Sequence, residues 1–209
     1  MQDVSLKIRA LPRDFPGVNA LDLLVVYLMG CRRFDQFCCT WRSLENPELF
    51  CPFCETERRR RKRKPLVSTH GWLVLENEFP RDDTERMLLI VPNRHLDGPA
   101  SISSKDWAEI GHLFSYCIRP SRVPGGALLL RYGDPRDHAG TIEHLHYNVI
   151  QPVRGGGCSL PIAKTVEGEY GHRADYARLQ TFADQVTGRG GVEWLFSPEG
   201  IAETQPEIK

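Results

Sequence analysis

The sequence predicts an α+β fold, an antiparallel sheet with helices packed on it, preceded by an N-terminal extension. The segments WLVLE (72–76) and MLLIV (87–91) are runs of β-formers joined by a polar stretch, the pattern of a hairpin with a long turn. Between 104 and 118, Trp107, Ile110, Leu113, Phe114 and Cys117 recur at helical spacing behind a Ser-Ser-Lys-Asp start that offers an N-cap. A third and a fourth strand follow at 127–131 and 141–151.

In chain order, residues 1–50 form the extension: a polar start, a helix near 20–30, then GCRRFDQFCCTW (30–41) without a clear period. CPFC (51–54) opens the main unit, which runs to 187 and leaves 188–209 as a C-terminal tail whose last dozen residues are expected to fray. The run RRRRKRK (58–64), closed by Pro65, reads as a solvated segment, since like charges repel and hold water. VPGG (123–126) is a turn before the third strand, YGDPRDHAG (132–140) a loop before the fourth. Beyond the glycines at 155–157, Tyr176, Leu179, Phe182 and Val186 share one side of a helix over 173–186.

Lys+Arg and Asp+Glu both total 27, so net charge argues for neither a nucleic-acid nor a membrane partner. The most apolar segment, ALDLLVVYLMG (20–30), is too short to span a bilayer, and the residues before it lack a signal-peptide cleavage pattern; the expectation is a cytoplasmic protein. Seven cysteines is an odd number, and one C-x-x-C pair in a reducing compartment points to metal or redox chemistry rather than a disulfide framework.

The stretch TIEHLHYNVIQP (141–152) concentrates the chemistry. In an extended strand His144, His146 and Asn148 project from one face, about 7 Å apart, while Leu145, Tyr147 and Val149 anchor the other in a core. A neutral imidazole can attack a phosphorus ester and give a covalent phosphohistidine, which splits one difficult displacement into two easier ones. With an ordinary pKa near 6.5, a histidine is largely neutral at pH 7 and needs no adjacent base. Negative charge that accumulates on the non-bridging oxygens calls for preorganised donors. Glycine at 140 lets backbone amides approach a phosphate, and Thr141 adds a hydroxyl.

HLHYN (144–148), preceded by AGTIE and followed by VIQP, resembles the histidine-triad (HIT) superfamily of nucleotide hydrolases and transferases. LENEFP (75–80), LLIVPNRH (88–95), a helix, a strand and the small-residue loop follow that superfamily's order over about 50–155. EHLH (143–146), Ala163-Lys164-Thr165 and the C-terminal helix look most like the diadenosine tetraphosphate phosphorylase branch. The C-x-x-C, the distant histidine and an amide at the third triad position resemble galactose-1-phosphate uridylyltransferase. The chain departs from the first branch after Gln151-Pro152, where it continues into GGGCS (155–159), so that branch's substrate does not transfer.

The resemblance implies His146 as nucleophile, Asn148 beside it, and Gly140 and Thr141 as phosphate contacts. Asn77 fits either a nucleoside contact, as the resemblance implies, or a turn residue at a strand end. Asp134 stands where many relatives have asparagine in the phosphate loop, and a carboxylate there repels phosphate unless it is paired.

The spacing of Cys51 and Cys54 lets both thiolates bind one tetrahedral Zn²⁺ and leaves two positions open; a redox pair and two unrelated buried cysteines are the alternatives. The resemblance fills those positions with His95 and His144, giving a closed, structural zinc site. Cys31, Cys38 and Cys39 lack an evident fourth partner, which favours core packing.

An amide at Asn148 can hydrogen-bond phosphoryl oxygens but cannot act as an acid near pH 7, which favours transfer or phosphorolysis over simple hydrolysis. A catalytically weakened, zinc-stabilised nucleotide-binding protein is the rival reading. The resemblance also implies a homodimer. A nucleotide substrate is the expected partner, not a nucleic acid.

Overall fold

The structure, a computed structural model, describes residues 28, 30–96, 98–133, 140–160, 162 and 173–205. The expected helix at 20–30, apart from Leu28 and Gly30, lies outside the described residues, as do Asp134, residues 137–139, 163–165 and 206–209. So does the side chain of Tyr176.

One five-stranded, wholly antiparallel sheet organises the chain. Its strands are β1 (Val67–Ser68), β2 (Trp72–Glu76), β3 (Thr84–Pro92), β4 (Ala127–Leu130) and β5 (Tyr147–Pro152), in the spatial order β1-β2-β3-β5-β4. Leu75 pairs with Leu89, Leu89 with Asn148 and Asn148 with Leu129, so one row crosses four strands. Gly126, just before β4, lies so close to β5 that a Cβ there would meet the Ile150 carbonyl oxygen at 1.8 Å. Only glycine lets the backbones approach that closely.

Helices flank the sheet: α1 (Phe34–Glu45), α2 (Pro47–Phe50), α3 (Glu55–Arg60), α4 (Ser104–Cys117), α5 (Arg173–Gly188), α6 (Val192–Phe196) and α7 (Pro198–Glu203). The expected N-cap of α4 is a full capping box between Ser103 and Asp106. Asp106 also accepts from Trp72 Nε1 at 2.7 Å and pairs with Arg94 at 3.1 Å, which ties the helix start to β2. Ile110, Leu113 and Cys117 then pack on Trp72, Val74, Leu88, Ile90, Leu145, Tyr147 and Val149. Trp107, expected on this apolar face, sits at its rim and is half exposed.

The opposite face is covered as well. Leu73, Leu75, Leu89 and Val91 pack beneath Cys51 and Phe53, so the C-x-x-C loop lies on the sheet face that carries His144 and Asn148.

A second core joins all three of the segments expected from the sequence. Phe37, Cys38 and Trp41 of α1 meet Leu179 and Val186 of α5 and Trp194 and Leu195 of α6. The tail does not fray through the described residues as expected: α7 covers Pro198–Glu203, and buried Arg42 donates to Thr204 Oγ1 at 2.6 Å and to the Leu195 carbonyl at 2.9 Å. A buried guanidinium needs acceptors, and the tail supplies a carbonyl and a hydroxyl to its two terminal nitrogens.

The run 58–64 also departs from expectation. Arg58 and Arg61 are buried, and Arg61 pairs with both Glu57 and Glu78. Glu57 is itself fully buried and serves Arg60 as well. Acidic partners three, four and seventeen residues away neutralise Arg60 and Arg61, while Arg59, Lys62 and Lys64 are exposed as expected. Glu57→Ala takes one of Arg61's two carboxylates and leaves Glu78, and is expected to cost about 1.5–3 kcal/mol. Urea unfolding checks this, and a midpoint equal to the parent's contradicts it.

Candidate functional site

His144 and His146 precede the regular strand. The expected strand over 141–151 is regular only from Tyr147, because the backbone at 144–146 takes other partners: Leu145 N–H donates to the Leu96 carbonyl at 2.6 Å, outside the ladder. The alternation of faces survives the irregularity. Leu145, Tyr147 and Val149 enter the helix-side core, while the His144 and His146 rings meet Phe53 on the other side.

Four of the expected residues converge. The ligand atoms of Cys51, Cys54, His95 and His144 all lie within 4.8 Å of one another. Cys51 Sγ is 3.3 Å and Cys54 Sγ 3.5 Å from His144 Nδ1, and Cys54 Sγ is 3.4 Å from His95 Nδ1. Zn–S bonds of ~2.3 Å and Zn–N bonds of ~2.0 Å at a tetrahedral angle put sulfur and nitrogen about 3.5 Å apart. The observed spacings fit that geometry.

The protonation chemistry fits it too. His144 Nε2 lies 3.3 Å from the Pro92 carbonyl oxygen, which can only accept, so the proton belongs on Nε2 and the Nδ1 lone pair faces the sulfurs. Burial pushes the His144 pKa down and keeps the imidazole neutral. The Cys51 thiol's hydrogen bond drives Cys54 toward the thiolate, while that same bond and burial drive Cys51 up. A bound cation reverses the cost of ionising the second thiol.

The loop between the cysteines is clamped by the basic run. Arg58 Nε donates to the Phe53 carbonyl at 2.8 Å, and Arg63 donates to the carbonyls of Pro52 at 3.1 Å and Glu76 at 2.7 Å.

His146 stands next to this centre, half-buried, with Nδ1 at 2.9 Å from the His144 carbonyl oxygen. A carbonyl accepts and never donates, so Nδ1 carries the proton and Nε2 the lone pair. Asn148 is buried, and its Nδ2 has no hydrogen-bond partner among the described residues.

Gly140 is buried and Thr141 half-buried, and a Cβ on Gly30 would meet Thr141 Cγ2 at 2.8 Å, so the start of the described N-terminal segment abuts this loop. Asn77 stands apart, two rows beyond Leu75 on β2's own line, and its Oδ1 accepts from Phe79 N–H at 2.9 Å as a turn residue does. Cys31 donates to Thr40 and Cys39 to the Thr204 carbonyl, and burial pushes the Cys38 thiol up to about 12; these three serve packing.

Sequence reasoning missed Phe53, Arg58 and Arg63. The acid at Glu57, three and four positions before Arg60 and Arg61, was the available sign that the basic run was paired.

An antiparallel sheet with helices packed on it thus carries a Cys₂His₂ donor set beside a histidine with its lone pair on Nε2. No family model and no curated protein matches the chain. Among solved structures it is similar to a Zn-bound histidine triad family protein from Mycobacterium smegmatis, at 18% identity and TM-score 0.37 over 56% of this chain and 86% of that one. It is similar to a hypothetical histidine triad nucleotide-binding protein from Sulfolobus tokodaii, at 17% identity and TM-score 0.40 over 68% and 97%. A third is the Plasmodium falciparum diadenosine triphosphate hydrolase, at 12% identity and TM-score 0.36 over 62% and 79%. At these levels the site's own geometry, not the likeness, supports a reading of its chemistry. No helix among the described residues is long and apolar enough to cross a membrane.

Proposed function

We propose that the protein transfers a nucleoside monophosphate through a covalent intermediate on His146, drawing on a nucleotide phosphoester, anhydride or amidate. The observation that supports this most is the bond from His146 Nδ1 to the His144 carbonyl, which leaves the lone pair on Nε2 and points to that atom as the nucleophile.

In the first step Nε2 attacks the α-phosphorus: a P–N bond forms, the bond to the leaving group breaks, and that group departs with the electron pair. The ring becomes cationic, and the His144 carbonyl stabilises its Nδ1–H. In the second step water, phosphate or another acceptor forms a new P–O bond, the P–N bond breaks, and the electron pair returns to Nε2. The acceptor's proton leaves to solvent.

Asn148 Nδ2, buried without a partner among the described residues, donates to a phosphoryl oxygen in this reading. A donor left unsatisfied in the resting protein gains a full hydrogen bond as negative charge builds there. As an amide it supplies no proton, so a leaving group takes its proton from solvent, which favours transfer or phosphorolysis over simple hydrolysis. Gly140 and Thr141 complete the phosphate contacts. Asn77 is assigned to the nucleoside only through the sequence resemblance.

Cys51, Cys54, His95 and His144 would hold a zinc ion, whose contribution with a closed coordination sphere is structural. Bound there, it would fasten the loop at 51–54 to the segment before β5 and leave the phosphoryl chemistry to His146.

The test is the stereochemical course at phosphorus with a chirally labelled α-phosphorothioate nucleotide. Two in-line displacements give overall retention. Inversion means one direct displacement and contradicts the covalent reading.

A further inference from the structure

We propose that Phe53 is a positioning residue for His146, through which the metal-binding loop sets the direction of the nucleophile's lone pair. The inference rests on the reading of His146 as nucleophile. Phe53 sits between the two cysteines and is almost fully buried, with its ring centroid 5.0 Å from that of His146 at an interplanar angle of 51° and 5.6 Å from that of His144, edge to face. Such pairs have a preferred geometry and resist rotation away from it.

The His146 ring needs two restraints to fix where Nε2 points. Its bond from Nδ1 to the His144 carbonyl holds one edge. The Phe53 ring lies against its side and resists a swing of the ring plane about the N–H axis.

Phe53 is itself held at its backbone from several directions. Arg58 binds its carbonyl, and Arg63 joins the preceding carbonyl, at Pro52, to that of Glu76 at the end of β2. Cys51 and Cys54 bind the same loop to His144. Arg58 and Arg63 of the basic run thus serve the site through the loop carbonyls. A misplacement on the order of 1 Å at a nucleophile costs about 100-fold in rate, so a restraint of this kind acts on the chemical step rather than on substrate binding.

The experiment compares Phe53→Ala, Phe53→Leu and Phe53→Tyr in the full chain with zinc content measured for each. Single-turnover formation of the histidine-linked nucleotide is timed, and nuclear Overhauser contacts of the His146 ring report its orientation without substrate. The expected result is a fall of about 10- to 100-fold in the adduct-forming rate for the alanine and leucine variants. KM and zinc content stay at the parent values, the ring contacts change, and the tyrosine variant recovers the rate. Should Phe53→Ala fail to fold, Phe53→Leu keeps the apolar volume and decides alone. A parent-like adduct rate with parent-like ring contacts overturns the proposal, as does a rate loss that only tracks zinc loss. If His146→Ala in the parent background still forms the adduct, the nucleophile reading fails instead, and the ring contacts still decide whether Phe53 orients His146.

Discussion

Cys51→Ser is expected to unfold or aggregate the protein rather than to leave a folded, inactive one. Cys51 is buried against His144 and heads the loop that lies over Leu73, Leu75, Leu89 and Val91, so a lost ligand exposes one face of the sheet. Structural zinc contributes about 10–16 kcal/mol of apparent binding free energy in small zinc modules. A domain of ordinary stability has only about 5–15 kcal/mol in total. Removing one ligand of four therefore threatens the whole margin. Elemental analysis should give about one zinc per chain, and a strong chelator should lower the melting temperature sharply. A metal-free protein that melts where the parent does contradicts the assignment.

His146→Ala is expected to have the opposite signature, a folded protein with full zinc content and no covalent chemistry. The four ligand atoms do not include His146, and its Nδ1 bonds a backbone carbonyl that remains in the variant. Loss of a nucleophile that carries a two-step path costs on the order of 10⁴-fold or more in kcat. Steady-state turnover beside zinc content and a melting curve checks both halves of the expectation. Parent-level activity in this variant contradicts the role given to His146, whereas loss of zinc shows that the ring also supports the metal centre.

The Cys₂ half of the Cys₂His₂ cluster was legible because its two-residue spacing is local, and its histidines came from resemblance, because no local pattern links 51–54 to 95 and 144. The alternation that separates His144, His146 and Asn148 from Leu145, Tyr147 and Val149 was legible for the same local reason, though the strand itself starts only at Tyr147. That later start depends on Leu145 bonding to Leu96, a contact across the fold that periodicity does not encode.

The basic run was misread because like charges in sequence suggest solvent, while the fold returns Glu57 and Glu78 to Arg61 and turns Arg58 and Arg63 onto loop carbonyls. The second core was hidden by distance as well. Phe37 of α1 and Phe182 of α5 lie 5.4 Å apart between ring centroids, yet the two segments are far apart in the chain and 30–41 shows no clear period in sequence. Phe53 was passed over because an apolar residue between two cysteines has no meaning until its ring is seen against His146.

Covalent transfer through His146 is tested most directly by mixing the protein with nucleotide substrates labelled at the α-phosphate, quenching in alkaline denaturant to preserve a phosphorus–nitrogen bond, and mapping the label by peptide mass spectrometry. The account predicts a nucleoside monophosphate on the peptide containing His146, localised to that ring, lost on brief acid treatment and absent in His146→Ala. Label on another residue, or turnover of the same substrates with no label on the protein at any time, would contradict it.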